Sequence, residues 1–350
     1  MPDTFELPVP DFYDPANTTR WAYRPDQQAL FDTAIRWRAE HRIEPSAHDA
    51  LRVHLLLIDL QKDFCFPGGS LFVGGRSGRG ALEDNDRVVQ FIYRNLGNLT
   101  EISCTMDTHF PHQIFFPEFW LTRDGSPPHA NREVTLEQVR SGELRPNPDL
   151  ARWLANGDID WLQRQAEYYC EQLEAAGKYR LYLWPPHCIL GSDGHALVGT
   201  VHEARMFHAY TRLAPAHVET KGESPLTEYY SALDAEVTTS HDGVRLVPPR
   251  GGFLQTLLEA DKVIIAGQAA SHCVKSTIED LLTRIDPNLT RKVYILRDCM
   301  SSVTVPDPAR PGEFLFDFTP QAEAALARFK AAGMHVVEST TPMADWPEWS

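Results

Sequence analysis

The apolar positions of this chain fall into two alternating patterns. Short, nearly continuous apolar runs occur at VHLLLIDL (53–60), EISCTMD (101–107), KVIIAG (262–267), KVYILRD (292–298) and MHVVES (334–339). Weaker runs lie at YRLYLW (179–184) and AHVET (216–220). Runs of this length suit parallel strands, which are buried on both faces. Helical spacing separates them, over 83–97, 158–176, 195–210, 273–285 and 319–332. Another helix, 26–41, carries Leu30, Ala34 and Trp37 on one face. Strands alternating with helices predict right-handed βαβ units. The expected fold is a three-layer αβα sandwich of class α/β with a central, mostly parallel sheet.

The same pattern divides the chain. Residues 1–50 read as an N-terminal extension, a Pro- and aromatic-rich arm followed by the helix. Residues 51–342 form the α/β domain, and 343–350 a C-terminal tail. The polar segment 121–178, with its own helix, reads as an insertion or cap. No internal repeat is visible.

Ligands of an open parallel sheet bind beyond the carboxyl ends of its strands. Three reactive residues fall there. Asp59 closes the first strand and Asp107 the second, while Cys273 opens a helix just after KVIIAG. Each has a bland alternative, a strand-ending acid or a small buried hydrophobe. A cysteine at a helix N-terminus, however, has a lowered thiol pKa and nearby N–H groups for an oxyanion. In DTHFPH (107–112) an extended D-x-H pair points two side chains the same way, which suits a divalent metal. A further histidine lies in LWPPHCILG (183–191). Lys221 follows a short strand in VETKGESPLTEYYSAL (218–233), where a lone lysine is normally a surface charge.

Composition narrows the partners. The chain has 350 residues, of which 43% are hydrophobic and 23% charged, so wholesale disorder is excluded. Its net charge of −15 repels nucleic acid on average. No apolar run approaches the roughly 18 residues that span a bilayer. The first residues lack the apolar core of a secretory signal. Six scattered cysteines without CxxC spacing suit a reduced, cytoplasmic protein.

In this order, the five segments resemble the isochorismatase-like cysteine hydrolases, and within them the nicotinamidase branch. The likeness rests on D-x-Q-x-D-F (Asp59 to Phe64), K-G leading to Y-S-A (Lys221-Gly222, Tyr230 to Ala232) and H-C-V (His272 to Val274). It implies a catalytic set of Asp59, Lys221 and Cys273, with an oxyanion hole at the N–H groups of Ala269 and Cys273. The branch's metal motifs, D-x-H and W-P-x-H-C, fall on Asp107, His109 and His187, with His112 a candidate fourth ligand. One divalent ion is implied, zinc best suited and manganese or iron tolerated. Phe64 and Trp184 match the residues that stack on a pyridine ring. The implied substrate is a small carboxamide, nicotinamide foremost, and the implied assembly a homo-oligomer. A cis peptide is implied between Gln268 and Ala269. The competing readings are a hydrolase of another small carboxamide and a non-catalytic binding or scaffold protein on the same fold. The chain departs from the family in its length, in its insertion and in Gln268, where an apolar residue is commoner. Both ends of 121–178 adjoin the metal motifs, so it is expected to cover the site; the other reading is oligomer surface.

Overall fold

The computed structural model describes residues 6–177, 179–248 and 251–349. Its main elements in chain order are α1 (Gln27–His41), β1 (Val53–Ile58), α2 (Gly80–Arg94), β2 (Glu101–Asp107), α3 (Ile159–Ala176), α4 (Gly199–Arg212), β3 (Val218–Lys221), α5 (Gly251–Glu259), β4 (Lys262–Gly267), α6 (Cys273–Arg284), β5 (Val293–Leu296), α7 (Thr319–Ala331) and β6 (His335–Val337). The six strands form one sheet in the order β6-β5-β4-β1-β2-β3. All five pairings are parallel.

Every residue of β1 is buried, and the two-residue period of a strand explains how. Leu55 and Leu57 pack to one side, with Val88 and Phe91 of α2 and Val201 and Phe207 of α4. Leu56 and Ile58 pack to the other, with Leu257 of α5, Ile278 of α6 and Phe329 of α7. The sheet is thus the middle of three layers, as the apolar runs predict. The extension joins the first side: Leu30 and Ala34 of α1 are buried, and Phe31 meets Tyr210 edge-on at 5.2 Å.

The structure adds detail that the apolar pattern does not give. The run 179–184 does not enter the central sheet. Its strand, Leu181–Leu183, pairs antiparallel with Arg132–Val134, because both belong to a separate core. That core takes in residues from Ile114 to Trp184 together with Leu226 and Val237, and holds Trp120 and Tyr169 fully buried. The residues after 342 are no loose tail. Met343, Trp346 and Trp349 are buried, and Trp346 stacks on Phe91 and Tyr294 at 5.9 and 5.4 Å. Helix α5 has no counterpart among the predicted elements. Among the described residues, no helix is long and apolar enough to cross a membrane.

Candidate active site

The carboxyl ends of β1, β2 and β3 carry Asp59, Asp107 and Lys221 side by side, because Asp107 and Lys221 are in register across the β2–β3 pair. Asp59 turns the chain out of β1 with φ +48°, a left-handed conformation that non-glycine residues rarely adopt. Thr105 fixes it: its Oγ1 accepts the Asp59 N–H at 3.1 Å and donates to Asp59 Oδ1 at 2.6 Å. Asp59 Oδ2 faces the Lys221 ammonium at 2.8 Å. That ammonium also lies 3.0 Å from Asp107 Oδ1, donates to the Tyr229 carbonyl at 3.0 Å, and reaches Cys273 Sγ at 3.6 Å. Both Asp59 and Lys221 are wholly buried. The structure therefore brings Asp59, Lys221 and Cys273 together from three separate parts of the chain.

Burial decides the protonation of this cluster. It opposes the Lys221 charge, but Asp107 and Asp59 outweigh it and hold the ammonium well above its usual range. For Asp59 burial is the largest influence and raises the pKa, with Lys221 pulling the other way. The Cys273 thiol is likewise pushed well above its usual value, first by burial and then by Asp59, against Lys221. The expectation for a helix N-terminus is a lowered thiol; here loss of water and the nearby carboxylates act in the opposite direction. The thiol and the Asp59 carboxyl are thus both raised, and both lie beside the same ammonium.

Asp107, His109 and His187 form a second buried group, with one ligand atom from each lying within 4.8 Å of the others. Asp107 Oδ2 is 3.0 Å from His109 Nε2 and 3.7 Å from His187 Nε2. The far ring nitrogens contact backbone carbonyls, His109 Nδ1 that of Gly222 at 3.3 Å and His187 Nδ1 that of Pro185 at 2.8 Å. A carbonyl only accepts, so each Nδ1 carries a proton, and in a neutral ring it is then the Nε2 lone pair that faces Asp107. His109 Nε2 is buried without a hydrogen-bond partner. The charge balance agrees: two carboxylates against one ammonium leave a negative charge that a cation offsets. This donor set fits a divalent metal. His112 does not join it; it is exposed in the turn after Pro111.

Neighbouring motif residues hold this geometry. Gln61 Nε2 donates to the Asp107 carbonyl, and its Oε1 accepts the Asp107 N–H, both at 2.7 Å. Asp63 Oδ2 accepts the N–H of Cys188 at 2.8 Å, steadying the His187 loop. Gly222 has φ +96°, and a Cβ there would lie 2.6 Å from His109 Cε1. The glycine of the K-G motif is therefore obligatory on two counts.

Cys273, Ala269, Phe64 and Trp184 line one pocket together with His187 and Tyr230. Phe64 packs on His187 at 5.4 Å, and Trp184 on Tyr182 at 4.4 Å. The Gln268–Ala269 peptide is cis. Gln268 is satisfied away from the reacting centre: its side chain donates to Asp84 Oδ2 at 2.8 Å and accepts the Ser301 N–H at 3.2 Å.

No family model matches the chain. Over 169 residues it is 29% identical to the nicotinamidase of Escherichia coli (strain K12), a match covering 47% of this chain and 60% of that protein. The chain resembles the isochorismatase-like hydrolases in this likeness as in its motifs. It spans 60% of the length of that curated relative. Similar solved structures include the yeast nicotinamidase Pnc1p bound to the inhibitor nicotinaldehyde (19% identity, 82% of this chain and 99% of that one, TM-score 0.49). Another is the pyrazinamidase of Pyrococcus horikoshii in complex with zinc (20% identity, 82% and 99%, TM-score 0.44).

One pocket residue is not conspicuous in the sequence. Glu228 is only 3% exposed and lines the pocket behind Trp184. Its flanking aromatics in TEYYSAL were the available signal.

Proposed function

We propose that this protein hydrolyses the C–N bond of a small aromatic carboxamide, nicotinamide foremost, releasing ammonia through a thioester on Cys273. One observation carries the reading: the meeting of Cys273, Lys221 and Asp59 in a buried cluster at the edge of an aromatic pocket. The nicotinamidase similarity supports it.

An amide carbonyl is a poor electrophile, so the reaction needs a thiolate. Asp59 takes the Sγ proton, and Lys221 balances the negative charge as it moves between oxygen and sulfur. The sulfur attacks the carbonyl carbon, and the N–H groups of Ala269 and Cys273 meet the oxyanion. Asp59 delivers its proton to the nitrogen as the C–N bond breaks, and ammonia leaves. It then takes a proton from water, whose oxygen attacks the thioester; the C–S bond breaks and the thiol is restored. The raised pKa of Asp59 suits a group that must both accept and return a proton.

Phe64 and Trp184 hold the ring between them. Asp107, His109 and His187 hold the divalent cation, zinc by donor preference with manganese or iron tolerated. When bound, the cation supplies a Lewis-acidic position for a ring nitrogen.

The test is ammonia release from a panel of aryl and alkyl carboxamides, with bound metal quantified on the same sample. Turnover of nicotinamide by metal-loaded protein is expected. Absence of ammonia from every carboxamide overturns the proposal.

A further inference from the structure

A line of buried hydrogen bonds runs from the insertion to the aromatic wall of the pocket. Trp184 Nε1–H donates to Tyr230 Oη at 2.9 Å. An indole nitrogen only donates, so Tyr230 accepts there and its own hydroxyl proton points onward, to Glu228 Oε1 at 2.8 Å. The other carboxyl oxygen of Glu228 meets Tyr169 Oη at 3.0 Å, and Tyr169 Oη also accepts the Glu228 N–H at 3.0 Å. Tyr169 lies on α3, fully buried in the insertion core. Between Glu228 and Tyr230 sits Tyr229, whose carbonyl holds the Lys221 ammonium. Residues 228–230 are thus the joint between the charged centre and the ring wall.

We propose that Glu228 is a positioning residue for substrate selection: through Tyr230 it fixes the Trp184 indole, and through Tyr169 it ties that indole to the insertion helix. The inference rests on the carboxamide-hydrolase reading for its substrate class, flat heteroaromatic amides favoured over aliphatic ones. Glu228 stays clear of the reacting atoms, since its two oxygens are taken by the two tyrosines.

The direction of the line survives a change in Glu228 ionisation. Burial pushes its carboxyl up to about 8, with Tyr230 opposing and Glu236 adding to the rise. If protonated on Oε2, it donates to Tyr169, and Oε1 still accepts from Tyr230. A glutamine in place of Glu228 keeps a carbonyl towards Tyr230 and, like the protonated acid, turns a donor towards Tyr169 in place of the acceptor the carboxylate offers there. Glu228→Gln is therefore the conservative variant, and Glu228→Leu breaks the line.

Two measurements test this on the full-length, metal-loaded protein. The first needs no substrate: the hydrogen-exchange rate of the Trp184 indole N–H, assigned by its loss in Trp184→Phe. Exchange should quicken at least about ten-fold in Tyr230→Phe and Glu228→Leu, the effect of one lost hydrogen bond, and recover in Glu228→Gln. The second is steady-state hydrolysis of nicotinamide and isobutyramide. Glu228→Leu should raise KM for nicotinamide about ten-fold with kcat within about three-fold, and change isobutyramide little, the signature of lost ring binding. Tyr169→Phe should move the same quantities by less, in a side chain that keeps its packing if Glu228→Leu does not fold. Unchanged indole exchange in Tyr230→Phe, or a fall in kcat for both amides at constant KM, overturns the relay. Wild-type protein that cleaves no carboxamide defeats the functional reading alone, and the exchange rates still decide the relay.

Discussion

The charged centre and the ring wall touch within one pocket, yet they are built by different means. Asp59, Asp107 and Lys221 stand at the ends of three adjacent strands, and the sheet's register sets their spacing. Moving Asp59 or Asp107 requires slipping a largely buried strand, while Lys221, the one buried residue of the edge strand β3, is held by its register and its ion pairs. Trp184 comes from a loop beyond the Leu181–Leu183 strand, in a core of its own, and side chains hold it in place. The sheet's register fixes the charged centre, and side-chain contacts place the ring wall. Changes in the centre should therefore abolish function or destabilise the protein, whereas changes in the wall should redistribute preference.

The largest effect is expected for Cys273→Ala. Hydrolysis should fall by at least about 10⁴-fold, as when a nucleophile is deleted from residues acting as a unit. The circular dichroism spectrum should stay native. Substantial remaining turnover would rule out the thioester route.

Lys221→Met comes next, leaving two buried carboxylates without their ammonium. Breaking a buried ion pair typically costs about 3–5 kcal/mol, which urea unfolding would register. Wild-type stability in this variant would show that the ammonium does not hold the centre together.

Gly222→Ala strains a left-handed position and crowds His109 without touching the sulfur. Metal affinity should weaken by about 10–100-fold, as for other losses of support around a ligand. Competition with a chromogenic chelator reads this out; unchanged affinity would separate Gly222 from the metal group.

The smallest effect tests the wall. Trp184→Leu should raise KM for aromatic amides about ten-fold and spare aliphatic ones. It should leave the acid limb of kcat/KM in place, because that limb belongs to the centre. Asp59 must be ionised to take the thiol proton and its pKa is raised, so activity is lost as pH falls through a value above the ordinary carboxylate range of about 4. An acid limb that moves in Trp184→Leu would dissolve the distinction between centre and wall.

The sequence reveals the centre more fully than the wall, for a physical reason. A strand buried on both faces must be apolar throughout, so β1 and β4 stand out, and a polar residue at their ends is conspicuous. The Leu181–Leu183 run looks the same whichever strand it pairs with, and only three-dimensional contact assigns it to Arg132–Val134. His112 shares the D-x-H neighbourhood but follows Pro111 into an exposed turn, which spacing alone does not reveal. Glu228 reads as a polar loop residue until its two tyrosine partners are seen. Met343, Trp346 and Trp349 carry a signal, apolar anchors three residues apart, but so short a stretch sets no clear period.

The strand order has a bearing on how the chain is made. The central strand β1 pairs with β2 soon after it is synthesised, but its other neighbour, β4, begins only at Lys262. At translation rates of about 5–20 residues per second, the open side of β1 waits on the order of 10 to 40 seconds for its partner. During that interval an unpaired edge of VHLLLI is available to any other nascent strand. Yield in recombinant expression should therefore depend on the speed of synthesis and on chaperone supply more than on the stability of the finished protein.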